Sequence, residues 1–165
     1  MTIFRCENQI CEASISNEKI KQSTSDPAQR SARENALKVM PDGFKMMADE
    51  ALVFGHIFGP DRKEGKSPFG HGNDGAVAVG QLLAVASELL RGIATLLSQC
   101  NCYSASALSR QLVEIEYLIW TFQNEPDSAA QWMRSDKQER MKFFSPRAMR
   151  ERSEGWFRKS DYANH

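Results

Sequence analysis

The chain has 165 residues, of which 41% are hydrophobic and 25% are charged, a composition typical of one globular domain. Basic and acidic residues number 21 each, so the zero net charge creates no overall field that would attract nucleic acid or an anionic membrane. The balance shifts only from Asp136 onward, where eight basic residues accompany five acidic ones, and a solvated helix face accounts for that excess.

The sequence contains no recognisable secretory or membrane-spanning signal. Residues Met1–Asn8 contain charged side chains and no apolar run, so they do not form a signal peptide. The longest apolar stretch, Leu82–Leu97, is interrupted by Glu88 and Arg91 and falls short of the ~20 residues that span a bilayer. We therefore expect a cytoplasmic protein with no membrane contact, whose four cysteines are reduced.

Residues 1–25 are polar and weakly patterned, which predicts a loosely ordered N-terminal arm that crosses a partner subunit. Residues 26–165 form a single helical-bundle domain in our interpretation. Asp26-Pro27 resembles an N-cap followed by proline at the first helical position. The pattern predicts a helix from there to about Val39, a break at Pro41-Asp42-Gly43, and a second helix from Phe44 to about Ile57.

The segment 59–75 is rich in glycine and proline, which predicts a loop that is either functional or mobile. Its letters GPDRKEGKS nearly match the phosphate-binding P-loop, but five residues separate the glycines where the motif needs four. A proline and a phenylalanine then follow where a phosphate-binding helix should begin. We interpret the segment as a mobile loop and not as a nucleotide site.

Two long stretches of low charge, Asp74–Ser98 and Tyr103–Phe122, flank a short polar turn. The first is apolar nearly all round and therefore central, and the second has apolar residues spaced by three and four along one face. Together they predict an antiparallel helical hairpin at the centre of the fold.

Further helix starts are predicted near Glu125-Pro126-Asp127 and at Ser145-Pro146. The aromatic residues Trp156, Phe157 and Tyr162 require burial, either in an interface or against a longer chain. No repeat and no convincing strand is present. The fold class is therefore all-α, a bundle of about five to six helices built on the hairpin.

Four charges on the hairpin form the first candidate site. Glu88 and Arg91 are three residues apart, and Arg110 and Glu114 are four apart, so each pair shares a helix face. Folding the hairpin brings both pairs to one level, where buried ions would satisfy each other. The cluster is then either a structural lock on the register of the hairpin or a ligand pocket with Tyr117.

Arg158 and His165 form the second candidate site, because seven residues along a helix bring both onto one face. An arginine and a histidine so placed could bind a phosphate and transfer its proton, as a metal-independent ribonuclease requires. The cysteines and the isolated histidines have no zinc-binding spacing, and we predict no metal and no cofactor.

From Leu90 to His165 the chain resembles an uncharacterised bacterial family of all-helical proteins, in the runs SALSRQLVEIEYLIW and KFFSPRAMRE and in an Asp-Tyr pair near the end. That family is distantly similar to HEPN (higher eukaryotes and prokaryotes nucleotide-binding) domains. The residues that carry the resemblance are Arg91, Ser106, Arg110, Glu114, Phe143, Phe144, Ser145, Pro146, Met149, Arg150, Asp161 and Tyr162.

The resemblance implies an HEPN-like helical bundle that forms a homodimer. Many HEPN proteins are ribonucleases in toxin–antitoxin or phage-defence systems and carry Arg, four to six residues, then His at a dimer interface; Arg158 and His165 fit that spacing. Lys159 and the position at the end of the given sequence depart from the pattern. Two functional classes stay open: an RNA-targeting effector, with RNA or a cognate protein as partner, and a non-catalytic protein- or ligand-binding module.

Overall fold

The computed structural model describes residues 5–6, 9–10 and 27–152. Two strands of two residues each, β1 (Arg5–Cys6) and β2 (Gln9–Ile10), pair antiparallel. The rest of the regular structure in this part of the chain is helical, which confirms the all-α bundle. The helices are α1 (Pro27–Ile57), α2 (Asp74–Ser98), α3 (Cys102–Asn124), α4 (Ser128–Arg134), α5 (Lys137–Phe143) and a helix α6 that is described over residues 146–152.

The predicted hairpin is present as α2 and α3, with the first helix at the predicted bounds. Asn73 caps α2 by accepting a hydrogen bond from the Ala76 amide, and Asn101 caps α3 in the same way from Ser104. Cys100 takes the left-handed conformation (φ 59°) in the turn between them. Cys100 is disulfide-bonded, so the expectation that all cysteines are reduced is wrong for this residue.

The break predicted at Pro41-Asp42-Gly43 is wrong, because α1 runs through it as one helix of 31 residues. Proline inside a helix removes one backbone hydrogen bond. Contacts with α2 offset that loss: the Pro41 carbonyl accepts a hydrogen bond from Ser87 Oγ at 2.8 Å, and Asp42 pairs with Arg91 at 2.9 Å. Local sequence therefore predicted a break that packing against α2 overrides.

Helix α2 is the centre of the bundle and packs against α1, α3 and α4. Small residues let α1 approach it closely: Ala48 is fully buried, and a Cβ on Gly55 would lie 2.8 Å from the Val77 backbone nitrogen. The core on the opposite side is built from Ala78, Leu82, Ala86, Ile115, Phe122, Ala129 and Phe144.

By length and composition α2 is also the one helix in the described residues that is apolar enough to cross a membrane. Of its most apolar 18-residue stretch, 44% is buried inside the bundle. Core helices of soluble proteins reach the same length and apolar content.

The last helices are short, and α5 and α6 have side-chain caps, whereas the side chain of Asp127 makes no capping hydrogen bond at α4. Helix α4 begins after Asp127, as the Glu125-Pro126-Asp127 pattern predicts, and α6 begins at Pro146, where Ser145 Oγ accepts from the Ala148 amide. Helix α5 was missed by the sequence analysis. Its signal is the capping box between Asp136 and Glu139, which satisfies two helix-end amides reciprocally.

We expect Gly55→Ala to destabilise the fold by about 2 kcal/mol, because the added methyl group would force α1 away from the α2 backbone. Gly92→Ala is the matched control: its Cβ meets only the end of the Leu108 side chain, at 3.0 Å, and a helical Gly-to-Ala change favours the helix. Urea unfolding of both variants measures the difference. Equal stabilities would show that the close approach of α1 and α2 is not a constraint.

Candidate functional site

The structure brings Glu88 and Arg91 together but leaves them on the surface. Arg91 lies 3.6 Å from Glu88 and 2.9 Å from Asp42, with side-chain exposures of 47% for Arg91 and 69% for Glu88. Exposed ion pairs of this kind contribute about 0–1 kcal/mol, because water screens the charges. This half of the predicted cluster joins α2 to α1 and not to α3.

Arg110 and Glu114 are exposed on α3, and the described residues include no ion pair between them and the Glu88–Arg91 pair. The buried four-charge cluster is therefore not formed in this part of the chain. The spacing correctly placed each pair on one face of its helix, but it could not show that these faces point to solvent. Tyr117 is half-buried and lines a small cavity of about 230 Å³ with Val113, Glu116 and Trp120. Ligand binding by these side chains stays a prediction.

The second predicted site, Arg158 with His165, lies outside the described residues. The tail aromatics Trp156, Phe157 and Tyr162 lie outside them as well.

A buried ionic network is present elsewhere, where the 59–73 loop meets the start of α2. Asp74 is fully buried, and its carboxylate accepts hydrogen bonds from Arg134 Nε at 2.8 Å and from Ser67 Oγ at 2.6 Å. Arg134, on α4, also lies 3.0 Å from Asp61. We call Asp61, Ser67, Asp74 and Arg134 the Asp74 cluster. It joins the loop, α2 and α4.

Within the cluster, Asp61 binds the backbone at the start of α2. Its carboxylate accepts a hydrogen bond at 2.9 Å from the Asp74 amide, at the start of the helix, where the helix dipole favours negative charge. In a P-loop the phosphate occupies such a position. Here Asp61 and the capping side chain of Asn73 occupy it, which agrees with the interpretation that the near-match is not a nucleotide site.

The loop itself is tied down by hydrogen bonds. Arg62 donates to the carbonyls of His56 and Gly70, both at 2.6 Å, and the Asp61 amide donates to the Gly72 carbonyl at 2.9 Å. A mobile loop was expected from composition. These contacts instead describe a compact segment that is anchored to the end of α1 and the start of α2.

His71 lies at the edge of the Asp74 cluster. Its ring contacts His56 edge-on at 4.6 Å between centroids and Phe69 at 5.6 Å. Its Nδ1 is 3.4 Å from Asp74 Oδ1 but is not aligned for a hydrogen bond and is otherwise unpaired. The ring therefore packs beside the carboxylate, and Arg134 and Ser67 supply the hydrogen bonds that Asp74 needs.

The chemistry of the Asp74 cluster is that of a structural lock. Each carboxylate accepts from a guanidinium and from a second donor, so the buried charges are paired as burial requires. The described residues contain no group of three or more His, Cys, Asp and Glu side chains that could hold a metal ion.

The hydrogen bond to Asp74, with attraction from Asp61, raises the pKa of Arg134 above its ordinary value. Because protonated Arg134 is favoured more in the folded chain than in the unfolded chain, its charge stabilises the fold at every pH at which the unfolded arginine is also protonated. This contribution is therefore complete at every pH below the ordinary pKa of arginine and is lost only as the pH rises through the folded value. It does not vary across the neutral range.

The surface feature that the sequence analysis missed is the outward face of α1. Large apolar side chains there are between 44% and 68% exposed. Six of the eight repeat every seven residues in two adjacent rows, at positions 39, 46 and 53 and at positions 40, 47 and 54. This is a visible sequence signal, but the predicted break at Pro41 divided it. We call these side chains, with Phe58 directly after the end of the helix, the α1 apolar face: Val39, Met40, Met46, Met47, Val53, Phe54, Ile57 and Phe58.

An open groove of about 810 Å³ adjoins the α1 apolar face. It is lined by Met47 and Phe54 from α1, by Val79 from α2 and by Ile119 and Phe122 from α3. Glu50 is the charged residue that lines it. The groove is mainly apolar, with Asn73 and Gln123 as its uncharged polar residues, and it continues the apolar face toward α3.

Comparisons of the chain with protein-family models, with curated proteins and with solved structures find no match. The resemblance to a bacterial family distantly similar to HEPN domains stays a prediction.

We expect Arg134→Met to destabilise the fold by about 3 kcal/mol, because it leaves the buried Asp74 carboxylate without its cation. Arg110→Met, which removes an exposed arginine from the predicted cluster, should change the free energy of unfolding by less than about 0.5 kcal/mol. Denaturant unfolding at pH 7 compares the two. A larger loss of unfolding free energy for Arg110→Met than for Arg134→Met would show that the hairpin charges, and not the Asp74 cluster, stabilise the fold.

Proposed function

We propose that the protein is a non-catalytic helical module that binds a protein partner through the α1 apolar face. The observation that carries the proposal is that α1 has two different faces. One side packs its small residues against α2, and the other presents eight large apolar side chains to solvent. Large exposed apolar patches mark interaction sites, because scattered single residues are common but contiguous ones are not.

Two further observations support a binding role. Helix α1 lies at the edge of the bundle and has α2 as its principal neighbour among the described helices. The groove beside it offers a shallow apolar surface with few polar groups, and apolar helices from partners bind such surfaces through residues spaced by three and four. The proposal agrees with the homodimer and cognate-partner expectations from the sequence.

Site-specific photo-crosslinking tests this function. A benzophenone amino acid replaces Val53 on the α1 apolar face or, as control, Val85 on α2, which has a similar exposure of 50% against 57%. Irradiation in the cells that make the protein should give a discrete protein adduct from position 53 and none from position 85. Adducts from neither position, or equal adducts from both, would falsify the proposal.

An RNA-targeting effector in a toxin–antitoxin or phage-defence system is the second candidate. The spacing of Arg158 and His165 favours it, and in this hypothesis Arg158 orients a phosphate while His165 acts as acid and base. RNA cleavage by the purified protein, abolished by Arg158→Ala, would support it. An RNA-free wild type that leaves RNA intact argues against it.

A further inference from the structure

The α1 apolar face contains a seam with the spacing of a coiled coil. Met40, Met47 and Phe54 repeat every seven residues, and Gly43, Glu50 and Ile57 follow each of them by three. Alternation by three and four over successive heptads places a narrow apolar row on one side of a helix, where a second helix packs its side chains into the gaps. At 1.5 Å per residue the seam from Met40 to Ile57 is about 26 Å long.

The seam runs beside the contact with α2, and three of its residues, Met47, Glu50 and Phe54, also line the groove. At 3.6 residues per turn the middle of the seam lies about 130° around α1 from the buried residues Pro41, Ala48 and Gly55. A second helix could therefore lie along it without displacing α2. The four large side chains of the seam are all between 44% and 60% exposed.

We infer that a second copy of this chain occupies the seam, with the two α1 helices antiparallel around a two-fold axis between residues 48 and 49. This inference rests on the proposed function and names its partner. Its basis is that the seam is complementary to itself when reversed. Met40 then lies opposite Ile57 of the partner subunit, and Gly43 lies opposite Phe54 of the partner subunit.

Gly43 and Phe54 decide the direction. Apart from the backbone of its own helix and its chain neighbours, no heavy atom lies within 4 Å of the position that a Cβ on Gly43 would occupy, so this residue leaves an open space beside the helix. Phe54 presents a half-exposed ring one and a half turns past the middle of the seam. An antiparallel pair places each ring over a glycine. A parallel pair would place ring against ring and glycine against glycine, which creates a clash at one level and a void at another.

The area is sufficient for a specific interface. A half-exposed large side chain presents on the order of 100 Å², so complete burial of the seam together with the flanking residues of the α1 apolar face would remove roughly 800 Å² per copy, the area that each partner buries in a standard protein interface. The groove beside Met47 and Phe54 continues this surface.

Glu50 is the one charged residue in the seam. In the antiparallel register the two Glu50 side chains lie on either side of the two-fold axis, about 4.5 Å apart along the helices. Like charges this close repel, so the dimer should be reversible and not permanent. In this register each Glu50 also lies opposite Met47 of the partner subunit, and a polar position in an apolar seam lowers the stability of the pair.

Sedimentation velocity on the purified chain tests the direction of the pair against the 18.6 kDa mass of one copy. Wild type should form a dimer in a reversible equilibrium. Met40→Glu and Ile57→Lys should each weaken it by about tenfold or more, because each places a charge against an apolar residue. The double variant should regain affinity to within about threefold of wild type, since the carboxylate introduced at position 40 then faces the ammonium group introduced at position 57 of the other copy, at both ends of the seam.

Glu50→Gln is a further variant and should tighten the dimer by roughly two- to tenfold, because it removes the repulsion at the axis. Circular dichroism melting of every variant confirms that these exposed substitutions leave the fold intact.

Three results would overturn the inference: a wild type that is monomeric at all concentrations, a double variant as weak as its parents, or a Glu50→Gln variant with weaker association. If the wild type is monomeric but position 53 still crosslinks to a different protein, the inference of a second copy fails while the proposed binding function stands. Absence of any adduct there contradicts the proposed function itself.

Discussion

The buried carboxylate of Asp74 is the constraint on which the rest of the structure depends. It is fully buried at the first residue of the central helix, and a charge in that position is stable only with a cation and further donors. Arg134 and Ser67 provide them, and Arg134 also holds Asp61 at the amino end of α2. One arginine on a seven-residue helix therefore fixes the loop, the start of α2 and the position of α4 relative to both.

Helix α1 packs against α2 on one side and presents large apolar side chains to solvent on the other. Small residues at Ala48 and Gly55 bring its backbone close to α2, so little of its apolar content is used in the core. The large apolar residues lie on the other side instead. A helix of 31 residues that is apolar on two sides is typical of a protein that completes its packing with a partner, and this arrangement is the physical basis of the proposed function.

The hairpin and its bounds could be predicted because periodicity, caps and a polar turn all indicate the same elements. The continuity of α1 could not, because Pro41 is a local signal and the contacts of Ser87 and Arg91 that offset it come from a helix 46 and 49 residues away. The buried ionic cluster was expected among the hairpin charges, which are exposed in the structure, for a related reason. Spacing shows which charges share a face, but only the fold shows that Arg91 faces solvent while Asp74 is buried beside Arg134.

A double-mutant cycle between Asp74 and Arg134 measures the central claim most directly. Unfolding free energies of Asp74→Asn, Arg134→Met and the double variant give the coupling energy of the pair. Because the ion pair is buried on the Asp74 side and hydrogen-bonded, we predict a coupling of about 2 kcal/mol, with the double variant more stable than the sum of the single losses implies. Additive losses, within about 0.5 kcal/mol, would contradict the account, since each residue would then act without the other.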